Sequence, residues 1–212
     1  CWKPGGHGTE TLTQGLMNSC NPFFITIGQK LGKENFFKYF EAFGFTEKSG
    51  IDLPAEASPV ADVTYHSLEK MGIAELSSSS FGQTFQVSPI QVVNAISTIA
   101  NGGKLMQPYV VDSILDSDGN VIAKTQSKVK RQVISEKTAS TVADMMENVV
   151  SKGTGKNAYV AGYHVAGKTG TSEKIGKEGA YIASFAGFAP ANNPKIAILV
   201  AIDEPTGAHG GG

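Results

Sequence analysis

The sequence predicts an α/β fold in which a mainly helical part, residues 1–105, precedes a small antiparallel sheet. Three observations carry this. The first hundred residues hold helical-period segments closed by Gly and Pro. Two β runs, Tyr181 to Phe188 and Ile196 to Ile202, lie near the end, rich in β-branched and aromatic residues. About five residues join them, too few for the crossover that parallel pairing requires, so they pair antiparallel.

The elements follow in order. Thr9 to Asn18 reads as a short helix with Thr9 as its N-cap. Ser19-Cys20-Asn21 breaks it, and Pro22 suits the first position of a second helix, Phe23 to Leu31, ended by Gly32. Glu34 to Phe43 is a third, with Phe36, Phe37, Phe40 and Phe43 at core spacing. Gly44 to Val60 and the serine run Ser77 to Ser80 read as loops. Ser88-Pro89 opens a helix from Ile90 to Ala100, closed by Gly102-Gly103.

Residues 106–134 read as a peripheral β-arm. Tyr109 to Leu115 and Val121 to Thr125 flank the turn signal Asp118-Gly119, and Val129 to Ile134 joins this hairpin. Residues 135–212 return to the main body. Ser135 caps a helix from Glu136 to Val150 with Val142, Met145, Met146 and Val149 on one face. Three strands follow, Tyr159 to Ser172, Tyr181 to Ala189 and Lys195 to Ile202, with Asn192-Asn193-Pro194 as a turn.

The bulk numbers narrow the function classes. The chain has 212 residues, 41% of them hydrophobic, which suits one domain with a real core. A net charge of −1 gives no electrostatic footprint for nucleic acid. The longest apolar runs are too short to cross a bilayer. Cys1 and Cys20 form no metal pattern, and their spacing leaves open whether they pair. His7, His66, His164 and His209 show no metal-ligand spacing. His164 is placed on the sheet face opposite Val165, with no role. The opening at Cys1-Trp2 and the stop at Gly212 read as an internal piece of a longer protein.

Residues 160–172 carry the chemistry, and they fit two patterns. Gly162-x4-Gly167-Lys168-Thr169 satisfies the phosphate-loop string, and Ile198 to Glu204 looks like a strand ending in a magnesium-holding acid. Lys168-Thr169-Gly170-Thr171 also fits the strand-edge wall of a penicillin-recognising serine site. A phosphate loop needs a helix directly after its Lys-Thr, whose N–H groups hold the phosphates. Here Gly170 follows at once and no helical period appears before the next strand. The serine-site reading needs an edge strand facing a cleft and, opposite it, a hydroxyl and an amide two residues apart. Ser19-Cys20-Asn21 supplies the pair.

Several separated motifs then agree. Cys1-Trp2 with Gly6-His7-Gly8, Ser19-Cys20-Asn21-Pro22-x-Phe24, Phe81-Gly82-Gln83 leading into Val87-Ser88-Pro89-Ile90-Gln91, Ala100-Asn101-Gly102-Gly103 and Val165 to Thr171 occur in family order. The chain resembles the C-terminal part of the transpeptidase domain of class B penicillin-binding proteins, of the division and sporulation type of Gram-positive bacteria. The implied fold is a partial penicillin-recognising serine transpeptidase fold.

The resemblance implies a chemistry and a set of roles. A serine attacks the penultimate D-Ala carbonyl of a peptidoglycan stem peptide, and an amine from a neighbouring stem resolves the acyl-enzyme. Lys168 supplies positive charge for the substrate carboxylate, and Thr169 and Thr171 offer it hydroxyls. Gly170 leaves room for the substrate backbone, and Ser172 extends the substrate-binding edge. The Thr171 N–H is one oxyanion donor, a contribution of about 2.7–4 kcal/mol to the barrier. Ser19 relays a proton, and Asn21 orients the general-base lysine and the substrate backbone. Ser19 and Asn21 before a proline also satisfy helix-cap chemistry. Gly82-Gln83 is also satisfied by a simple turn.

The family's nucleophile sits in a Ser-x-x-Lys upstream of Ser-x-Asn. The string here, Ser67-Leu68-Glu69-Lys70, lies downstream and reads as a helix N-cap with a surface lysine. The nucleophile is therefore expected before Cys1, and a covering helix after Gly212, which leaves apolar faces of this piece bare. The resemblance implies no cofactor and no metal. It implies stem peptides and β-lactam antibiotics as ligands, other cell-wall synthesis proteins as partners of the parent, and an anchor outside this chain at the extracytoplasmic membrane face. A catalytically dead or sensory penicillin-binding module is the alternative, with the P-loop NTPase behind it.

Overall fold

A computed structural model describes residues 1–174, 176–206 and 211. Six α-helices are described: α1 (Leu12–Met17), α2 (Asn21–Leu31), α3 (Lys33–Ala42), α4 (Ile73–Ser80), α5 (Pro89–Ala100) and α6 (Glu136–Lys152). The strands are β1 (Lys104–Gln107), β2 (Ser113–Leu115), β3 (Val121–Lys124), β4 (Lys128–Gln132), β5 (Ala166–Glu173), β6 (Tyr181–Ala189) and β7 (Ile196–Asp203). No described helix is long and apolar enough to cross a membrane.

The decisive element is the sheet β5-β6-β7, in that order and antiparallel throughout. β5 is an edge strand, and no helix follows Lys168-Thr169. A doubly wound nucleotide fold needs parallel strands and a helix at that point, so the NTPase reading is excluded.

Helices α5 and α6 pack on the sheet, and α6 also packs on α1. Ala143, Met146, Ala166, Phe188 and Ala191 form the buried centre, with Leu16, Ile96 and Ile99 against it. A second, aromatic cluster joins Phe36, Phe37, Phe40, Phe45, Tyr65 and Phe85. Phe45, beyond α3, packs on Phe40 with ring centroids 5.1 Å apart, and Phe43 is half-buried. On α6 the most buried side chains are Ala139, Ala143, Met146, Val149 and Val150, so small residues carry the face that Met145 was expected to share.

Several boundaries differ from the expectation, each for a local reason. The cap of α1 is Thr11, whose side chain and that of Gln14 satisfy each other's backbone N–H in a capping box. Thr9 would place Leu12 at the third position, which has no acceptor to return. Helix α2 starts at Asn21, so Pro22 stands second rather than first. The serine run is not a loop: it is the last half of α4. The hydroxyls of Ser77, Ser78 and Ser80 donate to the carbonyls of Ile73, Ala74 and Leu76, one turn back. That bonding absorbs the polar groups which otherwise compete with a helix.

The peripheral arm splits in two. β2 and β3 form the expected hairpin, its turn held by Asp116, whose carboxylate accepts from the N–H groups of Asp118 and Asn120. Residues 109–112 lie before the strand. β4 leaves the hairpin and pairs instead with β1, an element the sequence did not reveal. Lys130 and Arg131 of β4 both reach Glu47, and Arg131 Nε donates to the Ala42 carbonyl at 2.8 Å. These contacts tie β4 to the helical part.

Residues 159–165 are turns rather than strand, with Gly162 at φ 82°. His164 is consequently off the sheet, and its Nδ1 lies 2.6 Å from Glu147 Oε1 on α6. His209 lies outside the described residues.

Candidate active site

Two elements bring the site together. Ser19 sits in the tight turn between α1 and α2, at φ 48°, a left-handed conformation uncommon for a residue with a side chain. The turn is held by backbone bonds from Ser19 N to Leu16 O and from Cys20 N to Gly15 O, both 3.2 Å. Gly15 is needed there, because a Cβ on it would fall 2.2 Å from the Phe23 ring. The turn thus directs the hydroxyl toward the sheet edge while α2 packs back on α1.

Lys168, the third residue of β5, reaches across to it. Its Nζ donates to Ser19 Oγ at 2.8 Å and to the Thr169 carbonyl at 2.8 Å. Among the described residues no carboxylate pairs with Lys168, and burial pushes its ammonium down from the usual lysine range to about 8. A lysine so placed still carries charge at neutral pH, yet it can give up a proton without a large penalty.

The edge of β5 forms one wall. Gln83, in the loop after α4, donates from Nε2 to the Thr171 carbonyl at 3.4 Å. A strand residue sends its N–H and C=O to the same side, so the Thr171 N–H faces the same open edge. The Thr171 hydroxyl accepts from Gly211 N at 3.2 Å. Thr169 Oγ1 lies 3.5 Å from Thr154 Oγ1, and Thr154 N donates to the Met17 carbonyl, which couples α6, α1 and β5 behind the site. Beyond the end of β5 lies an open groove of about 740 Å³, lined by Asp62, Tyr65, His66, Gln83, Glu173 and Lys174 among others.

The expected residues do not all converge. Lys168, Ser19 and Thr169 are in mutual reach. Thr171 and Ser172 continue the same strand edge. Asn21 is exposed in the first turn of α2, and among the described residues its amide makes no hydrogen bond. At Gly170 the nearest obstacle to a Cβ is the Ser184 Oγ across the sheet, at 2.6 Å. The cross-strand neighbour therefore disfavours a side chain at 170, independently of any bound peptide.

Two further residues reach β5: Gln83, in the Phe81-Gly82-Gln83 motif that a simple turn also satisfies, and Thr154, between Gly153 and Gly155. Their glycine neighbours mark turns in the sequence but do not say what either residue faces.

The side chains of Ser67 and Lys70 both turn to Asp62 rather than to each other. The Ser67 hydroxyl donates to Asp62 Oδ2 at 3.2 Å, and Lys70 pairs with the same carboxylate at 3.2 Å. The segment is a turn rather than a capped helix, and Asp62 holds both side chains at the surface.

With this geometry in hand, the comparisons with known proteins are specific. The chain is 46% identical to stage V sporulation protein D of Bacillus subtilis (strain 168), across 98% of this chain and 32% of that protein. It is 32% identical to a peptidoglycan D,D-transpeptidase FtsI homolog of Mesostigma viride, across 92% of this chain and 36% of that one. Among solved structures, the D,D-transpeptidase domain of a peptidoglycan glycosyltransferase from Eggerthella lenta superposes with a TM-score of 0.82 at 30% identity. That match covers 94% of this chain and 50% of the other. Penicillin-binding protein A from M. tuberculosis, as an imipenem acyl-enzyme complex, superposes with a TM-score of 0.79 at 28% identity, over 95% of this chain and 45% of the other. The chain thus spans about a third of the length of these curated relatives. The penicillin binding protein transpeptidase domain matches over residues 1–212 of this chain, and the chain belongs to that family.

Proposed function

We propose that this chain supplies the substrate-side half of a peptidoglycan D,D-transpeptidase site that cross-links stem peptides through an acyl-serine and is acylated by β-lactams. The observation that carries the reading is the 2.8 Å contact from Lys168 Nζ to Ser19 Oγ, made between an edge strand and a helix junction. The relatives named for D,D-transpeptidase activity, and the β-lactam acyl-enzyme among the solved structures, point the same way.

In this reading the attacking serine and its general-base lysine belong to a Ser-x-x-Lys outside residues 1–212. The serine Oγ adds to the penultimate D-Ala carbonyl, its proton passing to the base. The tetrahedral oxygen is held by the outward N–H of Thr171. Ser19, bonded to Lys168, passes a proton to the departing D-Ala amine. Lys168 with the hydroxyls of Thr169 and Thr171 holds the terminal carboxylate. Gly170 and Ser172 line the extended backbone, and the groove beyond Glu173 takes the rest of the stem. Asn21 turns inward once the missing half supplies a partner for its amide. Residues 1–105, 106–134 and 135–212 act as helical wall, arm and sheet wall. The chemistry needs no cofactor. The parent is held at the extracytoplasmic membrane face by an anchor outside this chain and works with other cell-wall synthesis proteins.

A fluorescent penicillin tests this. The protein at its complete natural length is expected to form a covalent adduct that survives denaturation, while residues 1–212 alone form none. An adduct on a peptide containing Ser67 would overturn the assignment of the nucleophile. No adduct on the complete protein would favour a binding module without catalysis.

A further inference from the structure

The turn that carries Ser19 is flanked by a group of metal-ligating side chains that the transpeptidase reaction does not use. Cys1, His7 and Cys20 each offer one ligand atom, and these atoms all lie within 4.8 Å of one another. Cys1 Sγ and His7 Nδ1 are 3.2 Å apart. Both cysteines are free thiols. In a tetrahedral zinc site, metal–sulfur and metal–nitrogen bonds of about 2.3 and 2.0 Å put neighbouring ligands about 3.5–3.8 Å apart. The observed cluster is close to that spacing with no metal-driven adjustment.

The other ring nitrogen of His7, Nε2, is buried and, among the described residues, has no hydrogen-bond partner, so no protein acceptor fixes the tautomer against Nδ1 being the ligand atom. The Trp2 indole packs edge-on against His7 at 5.2 Å, and its Nε1 donates to the Asn18 carbonyl at 2.8 Å. Glu10 accepts from Asn18 Nδ2 at 2.6 Å and stands beside the Cys20 thiol.

We propose that Cys1, His7 and Cys20 bind a thiolate-preferring divalent cation, zinc above all, with water in the fourth position and Glu10 beside Cys20. Binding replaces the two thiol protons, which leave to solvent, with one dication held by two thiolates and a neutral imidazole. The ion ties the segment before α1 to Cys20, the N-cap of α2 and the immediate neighbour of Ser19. It is therefore a clamp on the turn that holds Ser19, and that role rests on the function proposed above. Metal binding itself does not, and it is measured without reference to acylation.

The test uses the complete-length protein, reduced with a phosphine and desalted, so that a Cys1–Cys20 disulfide in the isolated material does not hide the site. It is titrated with Co²⁺ and then with Zn²⁺. The expected result is one equivalent of cobalt, read as a thiolate-to-cobalt charge-transfer band with strong visible bands of a tetrahedral ion, displaced by one equivalent of zinc. Cys1→Ser, at an exposed position, and His7→Ala, at a half-buried one, lose the tetrahedral spectrum while circular dichroism reports an intact fold. Cys20→Ser does the same if its circular dichroism is native. No cobalt bands in a protein whose two thiols titrate as free would overturn the site, as would bands that persist in all three variants. Metal uptake that leaves the acylation rate unchanged would overturn the clamp.

Discussion

Lys168 and Ser19, 149 positions apart in the chain, meet through one 2.8 Å hydrogen bond, and everything proposed about catalysis passes through that contact. One partner lies on a sheet edge and the other on a helix junction. Replacing either with Ala in the complete-length protein is expected to slow β-lactam acylation by about 10²–10⁴-fold, the range for a lost proton-transfer partner. Because the two residues act as a unit, the double variant is expected to be little slower than the worse single one. Stopped-flow acylation rates decide it, and fully additive losses would separate the two roles.

The pH profile follows from burial. Lys168 loses its proton at about 8, so the charge that draws a substrate carboxylate fades above that pH. Acylation by a carboxylate-bearing β-lactam is expected to show a falling alkaline limb there. Lys168→Arg, always protonated, removes that limb even if its overall rate is lower. Stability moves the other way. Between about 8 and the unfolded lysine value of about 10.4, the unfolded chain holds a proton that the folded chain has released, so this group makes folding more favourable as pH rises. Urea unfolding of wild type against Lys168→Met is expected to show a stability difference that shifts toward wild type from pH 7 to pH 10.

Gly170 gives a packing test. A Cβ at 170 would press on Ser184 Oγ at 2.6 Å, so Gly170→Ala is expected to destabilise by about 1–3 kcal/mol. Removing the obstructing oxygen with Ser184→Ala is expected to recover most of that loss in a double-mutant cycle. If the loss persists in the Ser184→Ala background, strand conformation rather than the cross-strand contact is the cause.

The outer face of β7 predicts association. Ile196, Ile198, Val200 and Ile202 alternate along it and are each about half exposed or more. A contiguous apolar stripe of this kind marks a missing partner. Residues 1–212 alone are expected to self-associate in sedimentation and to bind an apolar dye. Ile198→Lys with Ile202→Lys lowers both signals, whereas the complete-length protein shows neither.

Much of the fold was legible because it rests on local rules. Ser88 and Ser135 cap their helices as read, through Gln91 and Thr138. Tyr181–Ala189 is a strand at the boundaries expected. The serine run failed as a loop because the packing of α4 on α2, with Leu76 buried, holds it helical, and composition does not display that contact. β1 and the docking of β4 failed because strands of four and five residues carry almost no periodicity. The ion pairs of Arg131 and Lys130 with Glu47 join residues more than eighty positions apart.

By itself the sequence determined which residues are chemically able to act: the Lys168-Thr169-Gly170-Thr171 run, the Ser19-Cys20-Asn21 turn, and a join too short for parallel strands. Those are matters of residue type and chain length. Only the tertiary structure decided that Lys168 touches Ser19 while Asn21 stays outside, that Gln83 faces the strand edge, and that Cys1, His7 and Cys20 converge. Such meetings depend on how helices pack on a sheet, and side chains distant in sequence carry no mark of the neighbour they acquire when apolar faces are buried.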